Sequence, residues 1–227
     1  MREGFDEHPI NPLPPVVWLL ALPVILGELA FGLGQAGFAG ELARGWRLDA
    51  LQRYAFAPDI FRAMLDQNIW PWHHVLRIVS YPFVHGSFTH ALMVLVFILA
   101  LGKMVGELFS LPAVLAVFFG SAIAGAVVYA LVPGTQAAIY GGYPAVYGLV
   151  GAFTWILWTR LGMAHANRAR AFTLIGFLLG IQLVFGLLFG ARPDWIADVT
   201  GAGAGFAICF LVAPGGWRRA LERLRQR

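Results

Sequence analysis

The chain has few charged residues and a single cysteine. Only 12% of its 227 residues are charged, whereas 59% are hydrophobic, and its mean hydropathy is +0.71. A soluble core of this size could not bury so much apolar surface. Because Cys209 has no partner cysteine, an intrachain disulfide is excluded, and its place in the last apolar run predicts a packing role. The low charge therefore predicts a protein whose surface is largely covered by lipid.

The N-terminal segment lacks the basic start and the small-residue cleavage site of a secretory signal peptide. The first apolar run should therefore be a retained helix. The net charge of +4 comes with arginines that cluster beside apolar runs. That pattern is typical of helix ends at lipid headgroups. We see no nucleic-acid motif and expect no nucleic-acid partner.

Six apolar runs approach the roughly 20 residues that a helix needs to cross a bilayer core. The second and sixth runs contain His85, His90 and Asp198, whose side chains should face the inside of a helical bundle because lipid does not solvate them. There is no internal repeat, so we expect one domain over 16–215. The predicted fold class is an all-α polytopic membrane protein with six transmembrane helices, at about 16–36, 84–105, 111–132, 142–160, 171–190 and 195–213.

Lysine and arginine positions indicate the orientation in the membrane. With six spans, one side collects Lys103, Arg160, Arg168, Arg170 and the basic tail 216–227, and this side should be cytoplasmic. We therefore expect a cytoplasmic N-terminal segment, 1–15, and a cytoplasmic tail. The tail pattern fits either a membrane-surface helix or an ordinary positive-inside stop. No organelle-targeting segment is evident, which favours a bacterial inner membrane.

The long first loop, 37–77, interleaves aromatic and charged residues. Its apolar members include Tyr54, Phe56, Phe61 and Trp72, and they alternate with arginines and aspartates. Aromatic side chains with polar neighbours are enriched at membrane–water interfaces. The pattern predicts an element that lies in the interface.

Three motifs follow one another in register with the predicted helices. They are RIVSYPFVHGSFTHALMVLVFILALG (77–102), GGYPAVYGLVGA (141–152) and IADVTGAGAGF (196–206). Together they resemble the rhomboid family of intramembrane serine proteases, which has an HGSxxH start in its second helix, GxSGxxYGLxGA in its fourth and AHxxGxxxGF in its sixth. The resemblance covers about residues 70–215 and implies a six-helix rhomboid-like bundle.

Glycines in two of these motifs predict a close helix contact. Gly201 and Gly205 are four residues apart and share one face of the sixth helix. Gly148 and Gly151 offer a similar patch on the fourth helix. Small residues let transmembrane helices approach closely. We therefore expect these two helices to pack against each other.

The resemblance also implies a catalytic dyad, which this sequence lacks. In the family a serine on the fourth helix is activated by a histidine on the sixth. Here Tyr143 stands at the serine position, Pro144 at the following glycine and Asp198 at the histidine. The tyrosine that the family places against the histidine is kept as Tyr147.

The oxyanion positions are changed in part. His90 is kept, but Val94 stands where the family has an asparagine. Val94 cannot donate to an oxyanion, a loss that typically costs about 10² to 10³ in rate, and proline lacks a backbone N–H. A phenol with an ordinary pKa of about 10 is a poor nucleophile, and Asp198 a poor base for it. A displaced nucleophile, Ser87 or Thr200, is the alternative.

The other polar residues have structural interpretations. His85 and His90 should make structural hydrogen bonds, because no third ligand at useful spacing supports a metal. Glu28, inside the first run, must meet a polar partner in the bundle or lie near an interface. We hypothesise that the Tyr143 phenol donates to Asp198 and fills the former catalytic cavity. No metal and no cofactor are expected.

The predicted function is that of a rhomboid-like pseudoprotease, which binds transmembrane segments of client proteins without cleaving them. Its expected partners are the lipid bilayer and the transmembrane helices of clients. The first alternative is a rhomboid-family intramembrane serine endopeptidase. The second is a small proton-coupled transporter, which Glu28 and Asp198 suggest and the missing inverted repeats disfavour.

Overall fold

The computed structural model describes residues 12–189 and 193–213, which fold mainly into helices. Short 3₁₀ helices at Glu41–Gly45, Tyr81–Phe83 and Arg168–Phe172 connect the longer elements. The tail 216–227 and most of the N-terminal segment 1–15 lie outside the described residues, so the predictions made for them stay predictions. The α-helices in the described part are α1 (Pro15–Gln35), α2 (Trp46–Tyr54), α3 (Pro58–Gln67), α4 (Trp72–Ser80), α5 (Phe88–Gly106), α6 (Leu111–Leu131), α7 (Tyr143–Met163), α8 (Thr173–Phe189) and α9 (Trp195–Val212).

All six predicted apolar runs contain a long helix, but they differ as candidate spans. Helices α1, α5, α6 and α9 are long and apolar enough to cross a membrane. Helix α7 is buried at every residue from Pro144 to Ala152. Because this half of the helix is surrounded by protein and not by lipid, its residues can be less apolar than those of a lipid-facing span. Helix α8 is described over 17 residues, fewer than the other long helices. The predicted count of six spans is therefore not confirmed, whereas an all-helical membrane protein is.

The bundle is centred on α7, which packs against α9 and α6, while α1 packs against α5. The outer faces of the helices expose large apolar side chains. On α1 these include Leu26, 61% exposed, and Leu29, 58% exposed. Apolar residues on both the inner and the outer face are expected of a helix whose outer face meets lipid. The protein is thus an integral membrane protein.

The predicted glycine contact between the fourth and sixth apolar runs is confirmed. A Cβ at Gly201 would overlap the carbonyl oxygen of Pro144, and one at Gly205 would overlap that of Gly148. A Cβ at Gly151 would overlap the carbonyl oxygen of Ala202. Backbone therefore meets backbone between α7 and α9, which only glycine permits.

Gly148 meets α9 as predicted and has a second close contact, with α6, that the sequence did not predict. Its backbone lies under Gly205, but a Cβ at Gly148 would overlap the side chain of Ser121 on α6. The glycine therefore provides close approach on two sides. The reason is that α7 lies between α6 and α9, so one residue of α7 can contact both neighbours.

The first loop is folded and attached to the bundle. Phe56 and Ile139 exchange two backbone hydrogen bonds of 2.9 Å, which join the loop to the segment before α7. Arg62 on α3 donates to the carbonyl oxygens of Ala130 (2.7 Å) and Thr135 (2.6 Å) at the end of α6. Trp72 is 76% exposed. The loop therefore combines buried attachment points with exposed aromatics, and its place in the interface stays a prediction.

Candidate functional site

The candidate site is a cavity at the starts of three helices. It lies where α5, α7 and α9 begin, and its volume is about 200 Å³. Its position brings together residues from all three sequence motifs, as the family resemblance implied. The lining residues are His90, Ala138, Ile139, Tyr140, Tyr143, Pro144, Asp194 and Asp198.

One histidine, His90, lines the cavity, and a second, His85, lies beside it. The imidazole of His85 is buried, and its Nε2 accepts the backbone N–H of Gly142 at 3.3 Å. Accepting this bond requires the neutral ring, with the proton on Nδ1. The ring of His90 stands nearly perpendicular to that of His85, with 5.1 Å between centroids. His85 thus makes a structural hydrogen bond that positions the start of α7.

The backbone before α7 is shaped to fit these rings. Gly141 has a φ of +89°, a conformation that favours glycine. A Cβ at this position would also overlap the imidazole of His90. Gly141, the first glycine of the second motif, is therefore required by the turn and by the histidine beside it.

Tyr143, at the predicted nucleophile position, packs on His90. The two rings are stacked with 4.8 Å between centroids and 24° between planes. Tyr143 is the first residue of α7 and Pro144 the second, where the missing N–H of proline costs little because no helical acceptor precedes it. The tyrosine thus lines the cavity with its ring stacked on His90, and the prediction that it fills the cavity is not confirmed.

Asp198, at the predicted base position, is bonded to a different residue from the one expected. Its carboxylate is 6% exposed, and Oδ2 accepts from Nε2 of Gln182 on α8 at 2.8 Å. The predicted hydrogen bond from Tyr143 to Asp198 is therefore wrong. The physical reason is that the phenol stacks on His90 while an amide from a neighbouring helix reaches the carboxylate. Asp198 and Tyr143 nevertheless line the same cavity.

The two remaining predicted positions, Val94 and Tyr147, are both buried. Val94 is fully buried, and its Cγ1 would lie 2.7 Å from a Cβ built on Gly142. The side chain of Val94 therefore fills the space beside the turn before α7. Tyr147, one turn after Tyr143 along α7, is 9% exposed. Neither of the two is among the residues that line the cavity.

The displaced nucleophiles considered from the sequence have other positions. Ser87 is the N-cap of α5, and its hydroxyl accepts the backbone N–H of His90 at 3.2 Å. Such a bond satisfies one of the free N–H groups of a helix start. Thr200 lies on α9 outside the cavity lining. Among the described residues that line the cavity, none is serine, threonine or cysteine.

Glu28 has the polar partner in the bundle that one of the two sequence alternatives required. Its carboxylate accepts two hydrogen bonds of 2.8 Å from Arg47 on α2. Arg47 also donates to the carbonyl oxygen of His85 at 2.9 Å and lies over the ring of Phe31. The ion pair therefore connects α1, the first loop and the turn that carries His85.

Four residues of this region were not predicted from the sequence. Gln182 could have been identified from the sequence, since an amide inside an apolar run needs a polar partner in lipid. Tyr140 and Asp194 lie just outside the motif positions. No sequence pattern indicated Arg47, because its partner is 19 residues away across a loop. Within residues 12–189 and 193–213, no group of three metal-ligating side chains is arranged to hold a metal ion.

One family model matches the chain. It is described as a Rhomboid domain, and the match extends over residues 72–215. This range includes every residue that lines the cavity and runs from the start of α4 to just beyond the end of α9. Comparison with curated proteins gives no match.

Proposed function

Because this chain belongs to the rhomboid family, we propose that it is a rhomboid-like pseudoprotease that binds transmembrane segments of client proteins without cleaving them. One observation carries the proposal. The two dyad positions hold Tyr143 and Asp198, and both side chains are engaged elsewhere, by the stack on His90 and by the hydrogen bond from Gln182.

The geometry of the cavity argues against acyl transfer. Attack on a peptide carbonyl requires a nucleophile within hydrogen-bond reach of a base and donors aimed at the oxyanion. Among the described lining residues, the hydroxyl groups are those of two tyrosines, Tyr140 and the stacked Tyr143. Pro144 has no N–H, and the side chain of Val94 is buried and apolar. Chemistry of the serine-protease type therefore lacks its nucleophile and part of its oxyanion stabilisation.

Binding of client helices requires polar groups at membrane depth beside an accessible apolar surface. Helix α8 exposes Phe177 (64%) and Leu188 (70%), while Gln182 on the same helix reaches the cavity residue Asp198. A client helix with polar residues gains partners there that lipid does not provide. The proposal includes six spans, a bacterial inner membrane and cytoplasmic termini.

The transporter alternative loses its main support. Glu28 suggested a proton path because an acid inside a span is costly without a role. Its two carboxylate oxygens are both bonded to Arg47. The cost is met by an ion pair, so no proton-carrying role is needed to explain the residue.

Cleavage assays test the proposal directly. We would reconstitute the full chain in liposomes beside an active rhomboid protease and follow a panel of transmembrane substrates. The matched comparison is a variant with Tyr143→Ser, Pro144→Gly, Asp198→His and Val94→Asn. We expect no cleavage by the native chain while the active rhomboid cuts. Cleavage by the native chain that survives purification controls would contradict the proposal.

Crosslinking tests the binding half of the proposal. A photoreactive amino acid at Phe177, on the exposed face of α8, should capture model transmembrane peptides in the bilayer. The same probe at Trp72, which is also exposed but lies in the first loop, is the control. Capture at Phe177 well above capture at Trp72 supports client binding, and equal capture would indicate chance encounters in the membrane.

A further inference from the structure

The cavity is lined by two carboxylates and by aromatic rings. Asp194 and Asp198 are one helical turn apart at the start of α9. Tyr140 lies in the loop before α7, and Tyr143 is the first residue of α7. The cavity volume of about 200 Å³ is smaller than the roughly 300–1,000 Å³ of pockets that enclose whole small molecules. The size therefore suits one side chain better than a complete ligand.

Asp198 leaves one oxygen available to an occupant. The residue is 94% buried, since 6% of it is exposed, and Oδ2 is bonded to the neutral amide of Gln182. Among the described residues no donor is bonded to Oδ1, and no lysine or arginine lines the cavity. A buried carboxylate whose only side-chain partner is neutral favours a cation beside it. Oδ1 thus has no hydrogen-bond donor among the described residues, and the side chain that carries it lines the cavity.

The rest of the lining suits the body of a cationic side chain. Aromatic faces attract ammonium and guanidinium groups within about 6 Å of the ring. Ala138, Ile139 and Pro144 supply an apolar wall for an alkyl stem. Lysine and arginine combine such a stem with a charged end, which they extend from transmembrane helices toward the interface. Asp194, one of the lining residues, directly precedes α9, so the cavity lies near the end of a candidate span.

We propose that this cavity binds a lysine or arginine side chain near the end of a client's transmembrane helix. The inference rests on the proposed function, because the side chain must be presented by a helix that the protein binds. Asp198 provides the buried counter-charge, and Tyr140 and Tyr143 provide aromatic rings. The former catalytic cavity thereby selects clients by charge.

Model peptides test this selection. Three transmembrane peptides differ only at one position near the helix end, which is lysine, norleucine or glutamate, and each carries a fluorophore for binding to the reconstituted chain. The bilayer is phosphatidylglycerol, so that no lipid amine competes. We expect the lysine peptide to bind about tenfold more tightly than the norleucine peptide and the glutamate peptide to bind least.

Two matched variants assign the preference to the cavity. Asp198→Asn keeps the size of the side chain and an oxygen for Gln182, so it should fold, and it should abolish the preference for lysine. Asp66→Asn removes the same charge from an exposed carboxylate on α3 and should leave the preference intact. If lysine and norleucine peptides bind equally to the native chain, the cavity proposal is overturned while client binding stands. If phosphatidylethanolamine removes the lysine preference, the occupant is a lipid amine, which also overturns it.

A small cation probes the cavity without any helix. n-Butylammonium reproduces the lysine side chain, and n-butanol is its uncharged counterpart. Butylammonium should raise the thermal midpoint of the native chain above that seen with butanol, and Asp198→Asn should remove the difference. A shift with butylammonium but no peptide binding would support the cation site and refute the client function. Equal midpoints with the two compounds would refute the cation site.

Discussion

Arg47 and Glu28 form a fork-shaped ion pair inside the bundle, with two hydrogen bonds of 2.8 Å between guanidinium and carboxylate. The two side chains are only 11% and 7% exposed. Because Arg47 also donates to the carbonyl oxygen of His85, the pair joins helix α1 and the first loop to the turn beside the cavity. A loop far from the motifs thus helps to position the site.

Breaking this pair should strongly destabilise the protein. Arg47→Met leaves Glu28 buried without a cation, and removing one partner of a buried pair typically costs about 3–5 kcal/mol in the free energy of unfolding. The matched control is Arg44→Met, because the Arg44–Glu41 pair is 60% and 82% exposed and should be worth less than about 1 kcal/mol. Both are measured by reversible denaturation in mixed detergent. Equal losses for the two variants would show that the buried pair contributes no more than a surface one.

The glycine contact between α7 and α9 predicts a position-specific effect of alanine. At Gly205 a Cβ would overlap the backbone of Gly148, so Gly205→Ala should cost about 1–3 kcal/mol or more by overpacking. At Gly203, on the same helix, a Cβ meets nothing within 4 Å. Gly203→Ala should be neutral or slightly stabilising, since alanine favours the helix by up to about 1 kcal/mol. The thermal midpoints of the two variants should therefore move apart.

The sequence predicted elements better than contacts between them. The apolar runs and the spacing of Gly201, Gly205 and Gly151 predicted the long helices and the α7–α9 contact, because both depend on local composition and helix periodicity. The pair Arg47–Glu28 could not be predicted, since its partners are separated by a loop whose path no pattern reveals. The partner of Asp198 was predicted wrongly because an alignment of motifs places Tyr143 near it but does not say where the ring points.

Helix capping gives a third prediction and tests the role of Ser87. Its hydroxyl accepts the N–H of His90, so Ser87→Ala should cost about 1 kcal/mol in the free energy of unfolding, and Ser87→Asp should recover most of it. Ser110 occupies the corresponding position before α6 but makes no such bond, so Ser110→Ala should change little. If Ser87→Ala left stability unchanged, the structural role assigned to this hydroxyl would be wrong and its nucleophile role would return.

The last prediction compares the two candidate partners of Asp198 by double-mutant cycles. Gln182→Leu and Asp198→Leu each remove one side of the 2.8 Å hydrogen bond between α8 and α9. Side-chain hydrogen bonds between membrane helices average about 0.6 kcal/mol and reach about 1.7 kcal/mol, so the coupling energy of this pair should lie in that range. Tyr143→Phe with Asp198→Leu should show coupling near zero, because the phenol stacks on His90 and makes no bond to the carboxylate.

The cycle with Tyr143 is the sharper of the two. Phenylalanine keeps the ring and its stack on His90, so the substitution changes only the hydroxyl. Coupling of Tyr143 with Asp198 above that of Gln182 would mean that the carboxylate turns toward the phenol in the bilayer. The Oδ1 atom of Asp198 would then be satisfied within the protein, and the cavity would have no buried acceptor left for a cationic side chain. Coupling confined to Gln182 leaves Oδ1 without a partner in the protein, which is the state that charge selection of clients requires.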